Sequence, residues 1–137
     1  MTTQYWLVKS EPETYSWADL VRDGRTAWTG VRNYAARLHL KTMQPGDPVL
    51  FYHSGEAKSV IGLARVTKSA FPDATADEPG WVAVELAAAA PLQTPVTLAQ
   101  IKSTAALKDM VLIRQGRLSV QPVKPAEFAL IKKLGGG

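Results

Sequence analysis

Cysteine is absent from this chain of 137 residues. Its absence removes disulfide frameworks, thiolate zinc sites and cysteine nucleophiles together. Histidine is scarce: His39 and His53 are the only two, and they do not stand at metal-ligand spacing. The acidic pairs Glu11/Glu13 and Asp77/Glu78 fall in stretches of turn composition, so no metal centre and no paired-carboxylate hydrolase is indicated. No apolar run approaches the roughly 18 residues of a membrane span. The opening MTTQYWLVKSEP has no charged region leading into an apolar core, as a secretory leader would. Glycine-rich phosphate loops of the GxGxxG or GxxxxGK[ST] kind are missing too, which argues against a nucleotide cofactor. From these absences we expect a cytoplasmic protein without metal, cofactor or membrane partner.

What is present describes an ordinary globular domain. Hydrophobic residues make up 46% and charged residues 20%, a balance that supports one domain over residues 1–137, with the glycines at 135–137 as a flexible tail. The net charge of +4 is uneven: residues 1–60 carry +1, residues 61–104 carry −1, and residues 105–137 carry +4. A basic excess of this size fits a binder of phosphate-bearing ligands but does not by itself specify one.

Punctuation and periodicity divide the chain. QYWLVK (4–9) reads as a strand stopped at Glu11-Pro12, Ser16 caps a short helix WADLVRD, and Gly24 ends it. A longer helix runs from Tyr34 to Met43 and closes at Pro45-Gly46. In GDPVLFYHSG, alternation sets Val49, Phe51 and His53 on one strand face and Leu50, Tyr52 and Ser54 on the other. VIGLARVTKSAF follows as its hairpin partner, with Gly62 marking a bulge or a close backbone approach. WVAVELAAAA is a strand with an ambiguous end, and Thr97 caps a helix LAQIKS. Residues 110–114 and 117–123 are expected to be extended, and PAEFALIKKL to form a last helix with Pro125 in its first turn. Irregularly placed strands and short helices imply an α+β domain built on a curved or closed sheet.

The stretch WTGVRNYAAR (28–37) carries the strongest local chemistry. Gly30 permits unusual backbone angles, Asn33 is a good helix N-cap, and Arg32 and Arg37 flank that positive helix end. Trp28 and Tyr34 would add aromatic planes for stacking a base. The plainer alternative makes Trp28 core and Asn33 a cap. KSEP offers Lys9, Ser10 and Glu11 at a strand exit, where a carboxylate or hydroxyl can pair with a base edge; otherwise they are a solvated turn. FYHS (Phe51, Tyr52, His53, Ser54) suggests a histidine–serine pair, but adjacent strand residues point to opposite faces, which favours a structural histidine. His39 is expected on an exposed helix face. Arg114, Arg117 and Ser119 lie in the basic third, and Arg117 could reach a phosphate. Trp6, Trp17, Trp81, Phe71 and Phe128 read as core, with Trp17 the one that could also wall a pocket.

Taken in order, YWLVKSEP, YSWADL, WTGVRNYAAR, GDPVLFYHS, GLARV, FPDATA and RLSVQPV resemble the EVE domain family over roughly residues 4–134. The resemblance implies a PUA-like fold, a small mixed β-barrel with peripheral short helices, and a single domain. It also implies binding of RNA or DNA, with one modified base held in an aromatic and polar pocket. Under it, Lys9, Ser10, Glu11, Trp17, Trp28, Gly30, Val31, Arg32, Asn33, Tyr34, Phe51, Tyr52, His53 and Ser54 would surround the base. Arg32, Arg37, Arg117, Ser119 and Lys124 would hold phosphates. The expected protein is a monomeric, non-catalytic reader. The alternatives are an enzyme acting on nucleic acid or a nucleotide, and a small-anion or protein-interaction module. The turn RQGRLSVQP departs from the family pattern at Gly116.

Overall fold

Alternation in β3 (Pro48–His53) decides the architecture, because both of its faces are apolar and both must be covered. Val49 and Phe51 enter one buried cluster, while Leu50 and Tyr52 enter another on the opposite face. A computed structural model describes residues 3–136; Met1, Thr2 and Gly137, where the leader and tail readings partly fall, lie outside the described residues. The neighbours of β3 are β1 (Tyr5–Ser10), parallel to it, and β4 (Ser59–Pro72), antiparallel. Beyond β4 comes the long β5 (Val82–Thr97), then the short β2 (Arg25–Ala27); beyond β1 comes β6 (Val120–Val123). The six strands therefore run in the order β2-β5-β4-β3-β1-β6. No pairing joins β2 to β6, so the sheet is open rather than the barrel that was the other expected form.

Helix α2 (Tyr34–Thr42) touches β4, β5 and β6, strands from both halves of the sheet, so the sheet wraps around it. Its Ala36 and Leu40 are fully buried against Trp6, Val8 and Phe51. Helix α1 (Trp17–Asp23) covers the same face and inserts Trp17 and Leu20. The other face is covered by α3 (Leu98–Ser103), α4 (Val111–Arg114) and α5 (Pro125–Leu134), which bury Ile101, Leu112, Phe128 and Ile131.

Local signals account for these elements. Ser16 Oγ accepts from the Asp19 amide and the Asp19 carboxylate accepts from the Ser16 amide, a reciprocal cap. Asn33 Oδ1 accepts from the Ala36 amide and Thr97 Oγ1 from the Gln100 amide, each satisfying a free helix donor. Gly62 proves to be a close approach and a bulge at once: a Cβ there would stand 2.6 Å from the Trp17 ring, and the β3–β4 register shifts beside it. Asp47 is buried and accepts from the Trp6 indole N–H at 2.9 Å, tying β1 to the turn that opens β3.

Three expectations are corrected. Residues 111–114 form α4, and only Val120–Val123 of the second segment is strand, leaving Arg117 and Ser119 on the connecting turn. Gly135 and Gly136 are held rather than loose: Gly135 is buried, and its carbonyl accepts from the Gln93 and Thr94 amides. His39 is half-buried, with its ring 5.8 Å from that of Trp6, and burial pushes its pKa down.

Candidate nucleic-acid interface

A cleft of about 780 Å³ opens where β1 ends and the chain leaves β2. One wall is the end of β1 with the turn after it: Lys9, Ser10, Glu11 and Tyr15. The other is residues 28–33, and Ser119 closes the side. Trp28 is the hinge between cleft and core. Its amide donates to the Val84 carbonyl at 2.7 Å, its ring meets Phe51 edge-on at 5.6 Å and Tyr15 at 6.1 Å, and it is 9% exposed. Core residue and cleft wall are thus the same side chain.

Past Trp28 the chain is fixed by a residue from a distant loop. The buried Asp73 carboxylate accepts from the Gly30 amide and from Arg32 Nη1, both at 2.9 Å, and from the Thr75 amide and hydroxyl at 2.8 and 2.6 Å. Burial alone would raise its pKa, but the hydrogen bonds from Thr75, Gly30 and Arg32 outweigh that and hold the carboxyl far below the usual carboxylate range. Gly30 takes φ +82°, a left-handed conformation that a side chain would strain even though no neighbouring atom would obstruct it. Arg32 is consequently spoken for: its charge is neutralised by Asp73, and its other amine donates to Thr75 Oγ1 at 3.2 Å.

On the opposite wall, Ser10 Oγ donates to the Tyr15 carbonyl at 2.5 Å and keeps its lone pairs for a donor in the cleft. Lys9 reaches the Gly116 carbonyl, and its amide donates to the Ser119 carbonyl at 2.9 Å, so the turn bearing Arg117 is tied to this wall. Partial burial pushes the Lys9 ammonium pKa down. Tyr15 donates to Asp23 at 2.8 Å, and burial followed by that carboxylate raises its pKa.

The structure brings together Lys9, Ser10, Glu11, Trp28, Gly30, Val31, Arg32, Asn33 and Ser119 of the residues expected at the site. The others lie elsewhere. Trp17 is sealed in the core against Phe51 and Gly62, and Phe51 is fully buried behind Trp28. His53 Nε2 accepts from the Trp17 amide at 3.0 Å, which occupies the lone pair a base would need. Tyr52 and Ser54 line a separate cavity of about 200 Å³ on the opposite side of β3, sharing only Lys9 with the cleft. Tyr34 is 68% exposed and packs with Arg37 against Trp81, outside the cleft. Arg117 borders an adjoining hollow of about 280 Å³ that meets the cleft at Asn33. Lys124 follows Val123, which pairs with Tyr5, so it stands at the far end of β1, roughly 15 Å from Lys9 at strand rise. Among the described residues no group of three His, Asp or Glu side chains could hold a metal ion.

Sequence reasoning passed over Tyr15, Thr26, Thr29, Asp73 and Thr75. The Asp-x-Thr spacing in FPDATA was the available signal, since an aspartate that accepts from its own backbone two residues on makes an Asx turn.

The EVE domain family model matches residues 4–134. The chain belongs to the EVE domain family. Human thymocyte nuclear protein 1 is 32% identical to this EVE domain over 96% of the chain and 74% of the human protein. Rpa0253 from Rhodopseudomonas palustris is 47% identical, with a TM-score of 0.93 over 98% of this chain and 94% of that one. The human THYN1 protein in complex with 5-methylcytosine-containing DNA is 32% identical, with a TM-score of 0.92 over 98% of this chain and 99% of that one. The α+β fold expected of the family is therefore the fold of this EVE domain, with its sheet curved and open.

Proposed function

We propose that this protein is a non-catalytic nucleic-acid reader that takes one modified base, in the first instance 5-methylcytosine of DNA, into the cleft between Ser10 and Trp28. The observation that carries the reading is the cleft itself. It is of ligand size at about 780 Å³, walled by an indole and by backbone that Asp73 fixes in advance. Fixed walls reduce the ordering cost of binding. The complex of the human relative with 5-methylcytosine-containing DNA supports this choice of ligand. A base in a duplex must be flipped out, at a cost of a few kcal/mol, so a single strand is the better substrate for the cleft.

Among the described residues, His53 is engaged by the Trp17 amide and Ser10 Oγ donates to a carbonyl, so neither is paired as a nucleophile with its base. The reading is tested by adding 5-methyl-dCMP to the isotope-labelled protein and following amide shifts. Perturbations centred on Trp28, Thr29, Gly30 and Ser10, with the nucleotide recovered unchanged by mass spectrometry, support it. Perturbations centred elsewhere, or a chemically altered nucleotide, overturn it.

A further inference from the structure

Tyr34 and Trp81 were read from sequence as a pocket wall and a core residue, and the structure pairs them in neither place. Their rings lie 5.3 Å apart, with the Arg37 guanidinium 4.9 Å from one and 4.7 Å from the other. Arg37 Nη1 donates to the Gly80 carbonyl at 3.2 Å, so the group is held in place without any carboxylate within ion-pair distance among the described residues. Its Nε is buried and has no hydrogen-bond partner among the described residues. Gly80 keeps the arrangement open: at φ +96° it has no side chain, and a Cβ would stand 3.2 Å from Arg37 Nη1. Tyr34 nevertheless remains 68% exposed, a large aromatic surface left to solvent.

We infer that Tyr34, Trp81 and Arg37 form a second stacking station, a shelf that receives the base next to the one held in the cleft. This inference rests on the proposed reader function and adds a subsite to it. Continuity supports it: Arg32 lines the cleft and lies 5.7 Å over the Trp81 ring, so the shelf begins where the cleft wall ends. The occupant is the face of a base. Aromatic rings and a guanidinium plane stack any base, and stacking tolerates sequence. A phosphate is disfavoured there, because Asp77 and Glu78 are exposed on the loop that carries Gly80 and Trp81.

The test compares two ligands, 5-methyl-dCMP, which fills the cleft alone, and a trinucleotide with 5-methylcytosine in the middle. Tyr34→Ala should weaken the trinucleotide at least about fivefold, the loss expected of one stacked base, and leave the mononucleotide unchanged; Tyr34→Phe should retain both affinities. Tyr34 is exposed and follows the intact Asn33 cap, so the variant keeps its fold, which circular dichroism verifies. An unchanged trinucleotide affinity, or equal losses for both ligands, overturns the shelf and leaves the cleft standing. Failure of the wild-type protein to bind either ligand overturns the cleft reading and the shelf with it.

Discussion

Trp28 shows at the residue scale how binding and folding draw on one side chain. Its ring walls the cleft while packing edge-on against Phe51 and Tyr15, so Trp28→Ala should cost about 3–5 kcal/mol of stability in urea denaturation. A loss below about 1 kcal/mol would mean that the indole is not part of the core. Asp73 has the opposite character, touching the ligand space only through what it holds. Asp73→Ala leaves the Gly30 and Thr75 amides unpaired and should destabilise by about 1–3 kcal/mol, with base affinity falling as the 28–33 wall loosens. Unaltered affinity would detach the wall from Asp73. His53 supplies a pH dependence. Burial lowers its folded pKa, outweighing the Glu13 charge that raises it, and its neutral Nε2 accepts from Trp17. Its contribution is therefore present above the ordinary histidine pKa of about 6.5 and is lost as pH falls through the folded value below that. His39 shifts in the same direction and survives in a His53→Gln variant, so that variant should lose only part of the stability drop in acid. An identical pH profile would remove His53 from the account.

Legibility was good at the element scale wherever a local signal suffices. Ser16, Asn33, Thr97 and Pro125 each marked a helix start, because capping is decided within four residues. Gly62 likewise announced a close approach, though not that Trp17 makes it. What failed was non-local. VLIR has no period that separates a strand from one helical turn, and α4 forms because Leu112 packs under the β1–β3 face rather than because of any preference in the segment. The three-residue β2 exists through its pairing with β5, and the parallel β1–β3 contact follows from a crossover that no short pattern encodes. The cleft was legible in the same uneven way. Its two contiguous walls, KSEP and WTGVRN, were found, while the local Asp73–Thr75 turn gave no sign that Asp73 also holds Gly30 and Arg32, more than 40 residues away in sequence. Asn33 allows an element-scale check: Asn33→Ala should cost about 1 kcal/mol and fray the first turn of α2, seen as faster amide exchange at Ala36. Unchanged exchange would show that the turn is held by tertiary contacts alone.

The whole molecule separates a folding face from a reading face. Half of the C-terminal basic excess that suggested phosphate binding lies on α5 and its approach, where Lys124, Lys132 and Lys133 are exposed beside the cluster opposite the cleft. At the cleft itself Arg32 is neutralised by Asp73. Among the described residues Lys9 and Arg117 stand beside the cleft and Arg37 at the adjoining shelf, and only modest salt dependence is expected. Energy limits discrimination as well: one buried methyl contributes about 0.8 kcal/mol, or about fourfold in affinity. Among the described residues no helix is long and apolar enough to cross a membrane. The most direct measurement is the affinity of the wild-type protein for one short single-stranded DNA with and without a single 5-methylcytosine, at fixed salt. A cleft that holds one base should give one-to-one binding about fourfold tighter for the methylated strand; equal affinities, or no binding to either strand, would contradict the reader function.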